Sequence, residues 1–94
     1  MEFLVHMEVL YPPDRDPTEL ARLTELENAQ ARALAAAGTI KRLWRIPGRR
    51  ANWGLWESAD ATSLHAALAS LPLYRWLDVV VHPLATHPND PATD

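Results

Sequence analysis

The sequence predicts an α+β fold in which two helices cover one face of a single four-stranded antiparallel sheet. Three observations support this: four segments typical of strands, two segments of helical periodicity that begin at capping residues, and the chain order β-α-β-β-α-β. A chain of 94 residues corresponds to one domain. We assign residues 1–84 to that domain and residues 85–94 to a C-terminal arm.

The first strand is predicted over residues 2–10, where apolar residues alternate with a mixed set. Asp16-Pro17-Thr18-Glu19 follows and is typical of a helix start, with an N-cap, a proline at the first helical position and a glutamate three residues after the cap. The helix is predicted to continue to Ala37 and to end at Gly38, because glycine accepts the left-handed conformation of a helix end.

The middle of the chain predicts a β-hairpin, with strands at 39–46 and 51–57 and a turn at 47–50. Ser58 or Asp60 can cap the second helix, in which leucines recur at helical spacing until Pro72. Residues 77–84 form the last predicted strand. This order of elements, with both helices amphipathic, is the ferredoxin-like arrangement.

One face of the sheet is left without helices, and it carries Leu4, His6 and Leu10 of the first strand. A small domain that leaves an apolar face open is expected to cover it with another subunit or to line a pocket there. The hydrophobic content of 48%, with four tryptophans, agrees with apolar subunit contacts. The sequence therefore predicts a homo-oligomer.

The charge pattern excludes several classes of partner. A net charge of −3 gives no basic field for nucleic acid, whereas Arg42, Arg45, Arg49 and Arg50 form a local cationic cluster that suits a small anion. The chain has no cysteine, which excludes disulfides and agrees with a reducing compartment. It has no long apolar run and no leader-like segment, so we expect no membrane partner and a cytoplasmic location.

Glu27 is the most informative residue. At about 100° per residue, it falls on the apolar stripe of the first helix, between Leu23 and Leu34, while Arg22 and Arg32 fall on the opposite side. Burial of a carboxylate raises its pKa towards the range useful for proton transfer, which makes Glu27 a candidate general base. The alternative is a helix-edge glutamate that extends to solvent or pairs with an arginine.

Arg45 and Asn52 are the other candidates from the residues themselves. With strict alternation, Arg45 shares a sheet face with Lys41 and Leu43, whereas Arg42 shares the opposite face with Ile40 and Trp44. Arg45 could hold a substrate carboxylate, or it could form a salt bridge to Glu57 or Asp78. Asn52 could donate its amide to a substrate oxygen, or it could cap a turn or bulge.

A set of short motifs resembles the muconolactone isomerase family. The central motif is Leu43-Trp44-Arg45-Ile46-Pro47-Gly48, followed by Ala51-Asn52. In the same register, and without a gap, the resemblance extends to Met7, Glu27, Gly38-Thr39, Leu71-Pro72-Leu73, Asp78, Pro83-Leu84 and His87-Pro88. Together these motifs span nearly the whole chain, so their order and spacing are fairly specific for the family.

The resemblance implies an isomerase of aromatic catabolism, in the β-ketoadipate pathway, that converts (+)-muconolactone, or a substituted muconolactone, to the 3-oxoadipate enol-lactone by moving a ring double bond. It implies no cofactor, ferredoxin-like subunits and a ring-like decamer. Glu27 matches the glutamate of the family pattern and would be the base, Arg45 would hold the acetate group of the substrate, and Asn52 would contact the lactone carbonyl.

Four further residues are included among the substrate contacts. His6 lies on the open sheet face, and His65 lies at the edge of the apolar stripe of the second helix, where a structural histidine is also common. Arg50 and Trp53 depart from the family pattern, which usually has tyrosine at 50 and a smaller or tyrosyl residue at 53. Arg50 could accept a second anionic group or pair across the oligomer. No histidine pair has a metal-ligand spacing, so we predict no metal site.

Two other functional classes stay open at this point. One is a different ferredoxin-like enzyme, a cofactor-independent monooxygenase or a cyclase that acts on polycyclic phenols, and it would require a larger cavity. The other is a non-catalytic oligomeric ligand-binding domain in which Glu27 only anchors an arginine. A near-normal pKa of Glu27, with salt-bridge geometry, would favour that second class.

Overall fold

The computed structural model describes residues 1–92 and confirms the predicted α+β, ferredoxin-like fold. Its elements are β1 (Glu2–Val9), α1 (Pro17–Ala36), β2 (Ile40–Arg45), β3 (Ala51–Glu57), α2 (Ala61–Ala69), a short 3₁₀ helix (Tyr74–Trp76) and β4 (Leu77–Leu84). The strands form one sheet in the order β2-β3-β1-β4, and every neighbouring pair is antiparallel.

The helix ends follow the predicted capping residues. The Asp16 side chain accepts a hydrogen bond from the Thr18 N–H at 2.9 Å, and Pro17 is the first residue of α1. Gly38 follows the C-cap of α1 with φ +83°, the left-handed conformation that glycine adopts without strain. Asp60, and not Ser58, caps α2, because its side chain accepts from the Ser63 N–H at 2.8 Å.

Several predicted boundaries differ from the structure by one residue. β1 ends at Val9 and β2 covers Ile40–Arg45, each shorter than predicted, whereas β3 and β4 have the predicted bounds. The 3₁₀ helix before β4 was not predicted. Residues 85–92 of the predicted arm are exposed and contain no helix or strand, and residues 93–94 lie outside the described part of the chain.

The core lies between the helices and the sheet face that they cover. Three side chains of β1, Phe3, Val5 and Met7, are buried there, and the pairing brings Trp56 of β3 opposite Phe3. Leu64, Leu68 and Leu71 cover this layer from α2 and the segment that follows it. The opposite face of the sheet has no helix over it, as predicted.

A β-bulge in β2 changes which residues share a face. The pairing shifts between Ile40, opposite Trp56, and Arg42, opposite Leu55, and is regular from there to Arg45. Ile40 and Arg45 therefore both face the helices, and the prediction that Ile40 shares a face with Arg42 is wrong. Arg42 and Arg45 do point to opposite faces, as predicted.

The structure also bears on membrane insertion. Within residues 1–92, neither helix combines the length and the apolar character needed to cross a bilayer.

Candidate active site

A cavity of about 220 Å³ lies between α1 and the helix-covered face of the sheet. Its apolar wall is formed by Met7, Ala31, Ile40, Leu43, Trp56 and Leu71. Its polar groups come from Glu27, Asn28, Arg45 and Asn52. Three separate elements therefore bring the predicted base, the predicted cation and the predicted amide to one small cavity.

Glu27 is half-buried on the core side of α1. Its Oε1 accepts a hydrogen bond from the backbone N–H of Leu73 at 3.0 Å. Desolvation raises the pKa of the Glu27 carboxyl group above its usual range, and the hydrogen bond from Leu73 only partly opposes this. None of the ion pairs within residues 1–92 includes Glu27. Within a single chain, therefore, Glu27 is not paired with an arginine as the alternative interpretation requires.

Arg45 is the last residue of β2, and its guanidinium group is accessible from solvent. The two alternative salt bridges do not form in the described part of the chain, where Glu57 instead pairs with the N-terminal ammonium group at 3.1 Å. Arg45 is therefore a cation beside the cavity without a carboxylate partner among residues 1–92. A forked guanidinium in this position can bind a carboxylate through two hydrogen bonds.

Asn52 lies in β3, directly opposite Arg45 on one side and Met7 on the other. This pairing is regular, and the bulge lies at the far end of β2, so Asn52 does not serve as a bulge residue. Its Oδ1 atom is buried and has no hydrogen-bond partner among the described residues. An amide left unpaired beside a cavity is available to a ligand, since buried polar groups are otherwise nearly always satisfied.

The other four predicted contacts lie away from this cavity. His6 and Trp53 pair across strands on the open sheet face, with ring centroids 5.0 Å apart. His65 is exposed on α2, edge-on to Tyr74. The guanidinium of Arg50 lies 5.1 Å from the ring centroid of Tyr11. A single chain thus does not bring these four residues to the site.

Two features of the site were not found from the sequence. The backbone N–H of Leu73 holds Glu27, and no side-chain pattern could reveal it. The four tryptophans are expected from the sequence in the core or in subunit contacts, with one of them as an alternative wall of the lactone pocket, but the sequence does not indicate which one. Trp56 is buried in the core and also lines the cavity, and its Nε1–H has no hydrogen-bond partner within residues 1–92. The only sequence signal for this second role is Gly54, two residues earlier on the same face of β3.

Comparison with known proteins places these observations in a family. A family model for muconolactone delta-isomerase matches residues 1–90. The chain is 37% identical over 89 residues to the muconolactone delta-isomerase of Pseudomonas aeruginosa, covering 95% of this chain and 93% of that protein. It is 39% identical over 87 residues to muconolactone delta-isomerase 2 of Acinetobacter lwoffii, covering 93% and 91%. A crystal structure of muconolactone isomerase superposes with a TM-score of 0.91 at 36% identity, covering 100% of this chain and 98% of the other.

Proposed function

The chain belongs to the muconolactone delta-isomerase family, and we propose that it catalyses the reaction for which its relatives are named. In this reaction a double bond moves within the ring of muconolactone, and the product is the enol-lactone of 3-oxoadipate. The observation that carries the proposal is the half-buried carboxylate of Glu27, which shares a small cavity with Arg45 and Asn52.

Glu27 acts as the general base. Its carboxylate removes the ring proton γ to the lactone carbonyl, and the electron pair of that C–H bond delocalises into a dienolate. The protonated Glu27 then returns the proton at the α carbon, so the substrate and the product have the same atoms and charge. The two carbons flank one ring atom, and one carboxyl group can therefore serve both steps. The raised pKa of Glu27 makes it a stronger base than an exposed glutamate.

Arg45 and Asn52 bind and orient the lactone. The acetate group of muconolactone is an anion, and Arg45 is the cation at the cavity. Asn52 can rotate its amide so that Nδ2 donates to the lactone carbonyl, where negative charge develops in the dienolate. With the acetate held at one end and the carbonyl at the other, the γ carbon is directed towards Glu27.

The size of the cavity favours a small substrate over the polycyclic phenols of the other ferredoxin-like enzymes. A volume of about 220 Å³ suits a five-membered lactone and its acetate group, whereas binding sites for drug-sized molecules usually measure about 300–1,000 Å³. The proposed substrate class is therefore muconolactone or a muconolactone with a small ring substituent.

The test is a spectrophotometric assay of the purified protein with (+)-muconolactone that follows formation of the enol-lactone. Turnover by the wild-type chain, and its loss in Glu27→Gln, would support both the reaction and the base. Wild-type protein that is folded but does not convert muconolactone would refute the proposed substrate. A parallel assay with ring-substituted muconolactones would then identify the preferred lactone.

We also propose a homo-oligomer built through the open sheet face, with the decamer that the family resemblance implies as the expected size. The face that the helices leave uncovered carries Val80, which is 45% exposed, beside His6 of β1. Val80→Asp is expected to lower the mass of the assembly measured by native mass spectrometry, because it places a charge in an apolar contact. Leu26→Asp is the matched control, since Leu26 is equally exposed at 45% but lies on α1. A normal mass for Val80→Asp would exclude this face.

A further inference from the structure

The indole of Trp56 is a buried hydrogen-bond donor without an acceptor. Only 1% of the residue is exposed, yet its Nε1–H has no hydrogen-bond partner among the described residues. An unsatisfied buried donor destabilises the fold, and a phenylalanine at this position would avoid that cost. Because Trp56 also lines the cavity of Glu27 and Arg45, a ligand in that cavity is the natural source of the missing acceptor.

Gly54 provides the space in which the Trp56 donor lies. Trp56 and Gly54 lie on the same face of β3, and the indole leans back over Gly54, in the direction of Asn52. A Cβ at position 54 would lie 2.6 Å from the Trp56 Nε1 atom and 3.0 Å from its Cδ1 atom. The absence of a side chain at Gly54 therefore leaves the space in which the N–H group lies.

We propose that the Trp56 Nε1–H donates a hydrogen bond to the lactone carbonyl oxygen and strengthens that bond as the oxygen becomes the dienolate oxyanion. The inference rests on the proposed isomerase function and adds a residue to it. An indole nitrogen only donates, so a substrate group that pairs with it must be an acceptor. The substrate offers two strong acceptors, the acetate and the lactone carbonyl; the acetate is better matched to the guanidinium of Arg45, which leaves the carbonyl for Trp56.

The position of the donor makes it effective. Trp56 is 1% exposed and lies opposite the buried Ile40 on the apolar side of the cavity, so the donor is held in surroundings of low polarity. A fixed donor in such surroundings stabilises developing charge more than it stabilises the neutral carbonyl. Trp56 and Asn52 would then hold the same oxygen from two positions along β3, as an oxyanion hole built on one strand.

The kinetic test is Trp56→Phe, which removes the N–H group and keeps an aromatic ring. We expect kcat to fall about 10²- to 10³-fold, the usual effect of losing one oxyanion donor, with a much smaller change in KM. Trp76→Phe is the matched control, because Trp76 lies in the 3₁₀ helix against Tyr11 and does not line the cavity. Equal kcat values for Trp56→Phe and the wild type would overturn the inference.

A second measurement keeps Trp56 in place and so does not depend on how the variant folds. The ¹⁵N-labelled Glu27→Gln protein is titrated with (+)-muconolactone while the indole N–H resonances of the four tryptophans are followed by NMR. The Trp56 resonance, assigned with Trp56→Phe, is expected to move downfield more than the other three. A Trp56 shift no larger than that of Trp76 at saturation, or no binding at all, would overturn the inference.

The two measurements also separate this inference from the proposed function. Turnover by the wild type, with no effect of Trp56→Phe and no indole shift, refutes the donor role and leaves the isomerase function standing. An indole shift in a protein that does not convert muconolactone refutes the isomerase function and, with it, the stabilisation of a dienolate by Trp56, and leaves only a binding contact between Trp56 and the lactone.

Discussion

The replacement of Glu27 by glutamine is the sharpest test of the site, because the structure predicts opposite effects on rate and on stability. Glutamine has the shape of glutamate, and its side-chain oxygen can accept the Leu73 N–H as the Glu27 Oε1 does at 3.0 Å. It cannot remove a proton at neutral pH. We therefore expect kcat to fall about 10²- to 10⁴-fold, which is the usual contribution of a positioned general base.

Stability should not fall with the rate. Burial raises the pKa of Glu27, so the folded state binds the proton more tightly than the unfolded chain does. Stability then decreases as the pH rises from the ordinary glutamate pKa to the raised folded value, and the cost is fully present above it. Glu27→Gln removes that cost at neutral pH, and its melting temperature should equal or exceed that of the wild type.

Glu27→Ala is the control that separates the two roles of the residue. It removes the base and also the acceptor of the backbone N–H of Leu73, a residue that is only 4% exposed. The unfolding free energy should fall by about 1–3 kcal/mol. The melting temperature should fall by about 4–8 °C for each kcal/mol in a domain of this size. The rate is measured by the lactone assay and the melting temperature by circular dichroism. A Glu27→Gln protein with wild-type kcat would refute the assignment of the base.

Three further predictions concern the same site. Activity needs the ionised carboxylate of Glu27, and burial raises the pKa of that group. The acid limb of the kcat/KM profile should therefore lie at a pH above the ordinary glutamate range and should disappear in Glu27→Gln. An acid limb within the ordinary range would contradict the raised pKa. Arg45→Gln should raise KM about 10- to 100-fold, because it removes a charge-assisted hydrogen bond to the substrate. Arg42 lies on the opposite sheet face beside Trp44, so Arg42→Gln should leave KM unchanged. Equal effects of the two variants would exclude a specific role for Arg45. In Gly54→Ala the new methyl group displaces the indole of Trp56. This variant should lower kcat, and it should lower the unfolding free energy by about 1–3 kcal/mol. Unchanged thermal melting and kinetics would show that neither stability nor catalysis needs the indole in its present position.

Local signals in the sequence were sufficient for the order of elements and for most of their ends. Asp16-Pro17 and Asp60 fix the helix starts, because a side-chain acceptor satisfies free backbone N–H groups at short range. The 3₁₀ helix at Tyr74–Trp76 was missed, because no side chain caps it and three residues are too few to show a periodic pattern. The Arg45 and Arg42 faces were predicted correctly, but Ile40 was assigned to the wrong face because a bulge leaves no mark in a period-two pattern.

The site residues likewise divide into those that a local sequence pattern reveals and those whose position depends on packing or assembly. Glu27 could be found from the sequence because a charge on an apolar helix stripe is a local contradiction that periodicity reveals. The prediction that Arg50, His6, His65 and Trp53 contact the substrate stays a prediction, since in one chain they lie away from the cavity. Whether a neighbouring subunit brings them to a site depends on the geometry of the assembly, which no spacing along the chain specifies.

Capping, periodicity and charge act over a few residues, so local sequence was enough to predict the elements, their order and the position of one carboxylate on an apolar helix stripe. Three further facts emerge only from the folded chain: the Leu73 N–H holds Glu27, strand pairing places Arg45 opposite Asn52 on the face that the helices cover, and Trp56, with its unpaired N–H, lines the same cavity. These three facts join residues that are distant along the chain. They follow from strand register and helix packing, which are set by the whole core.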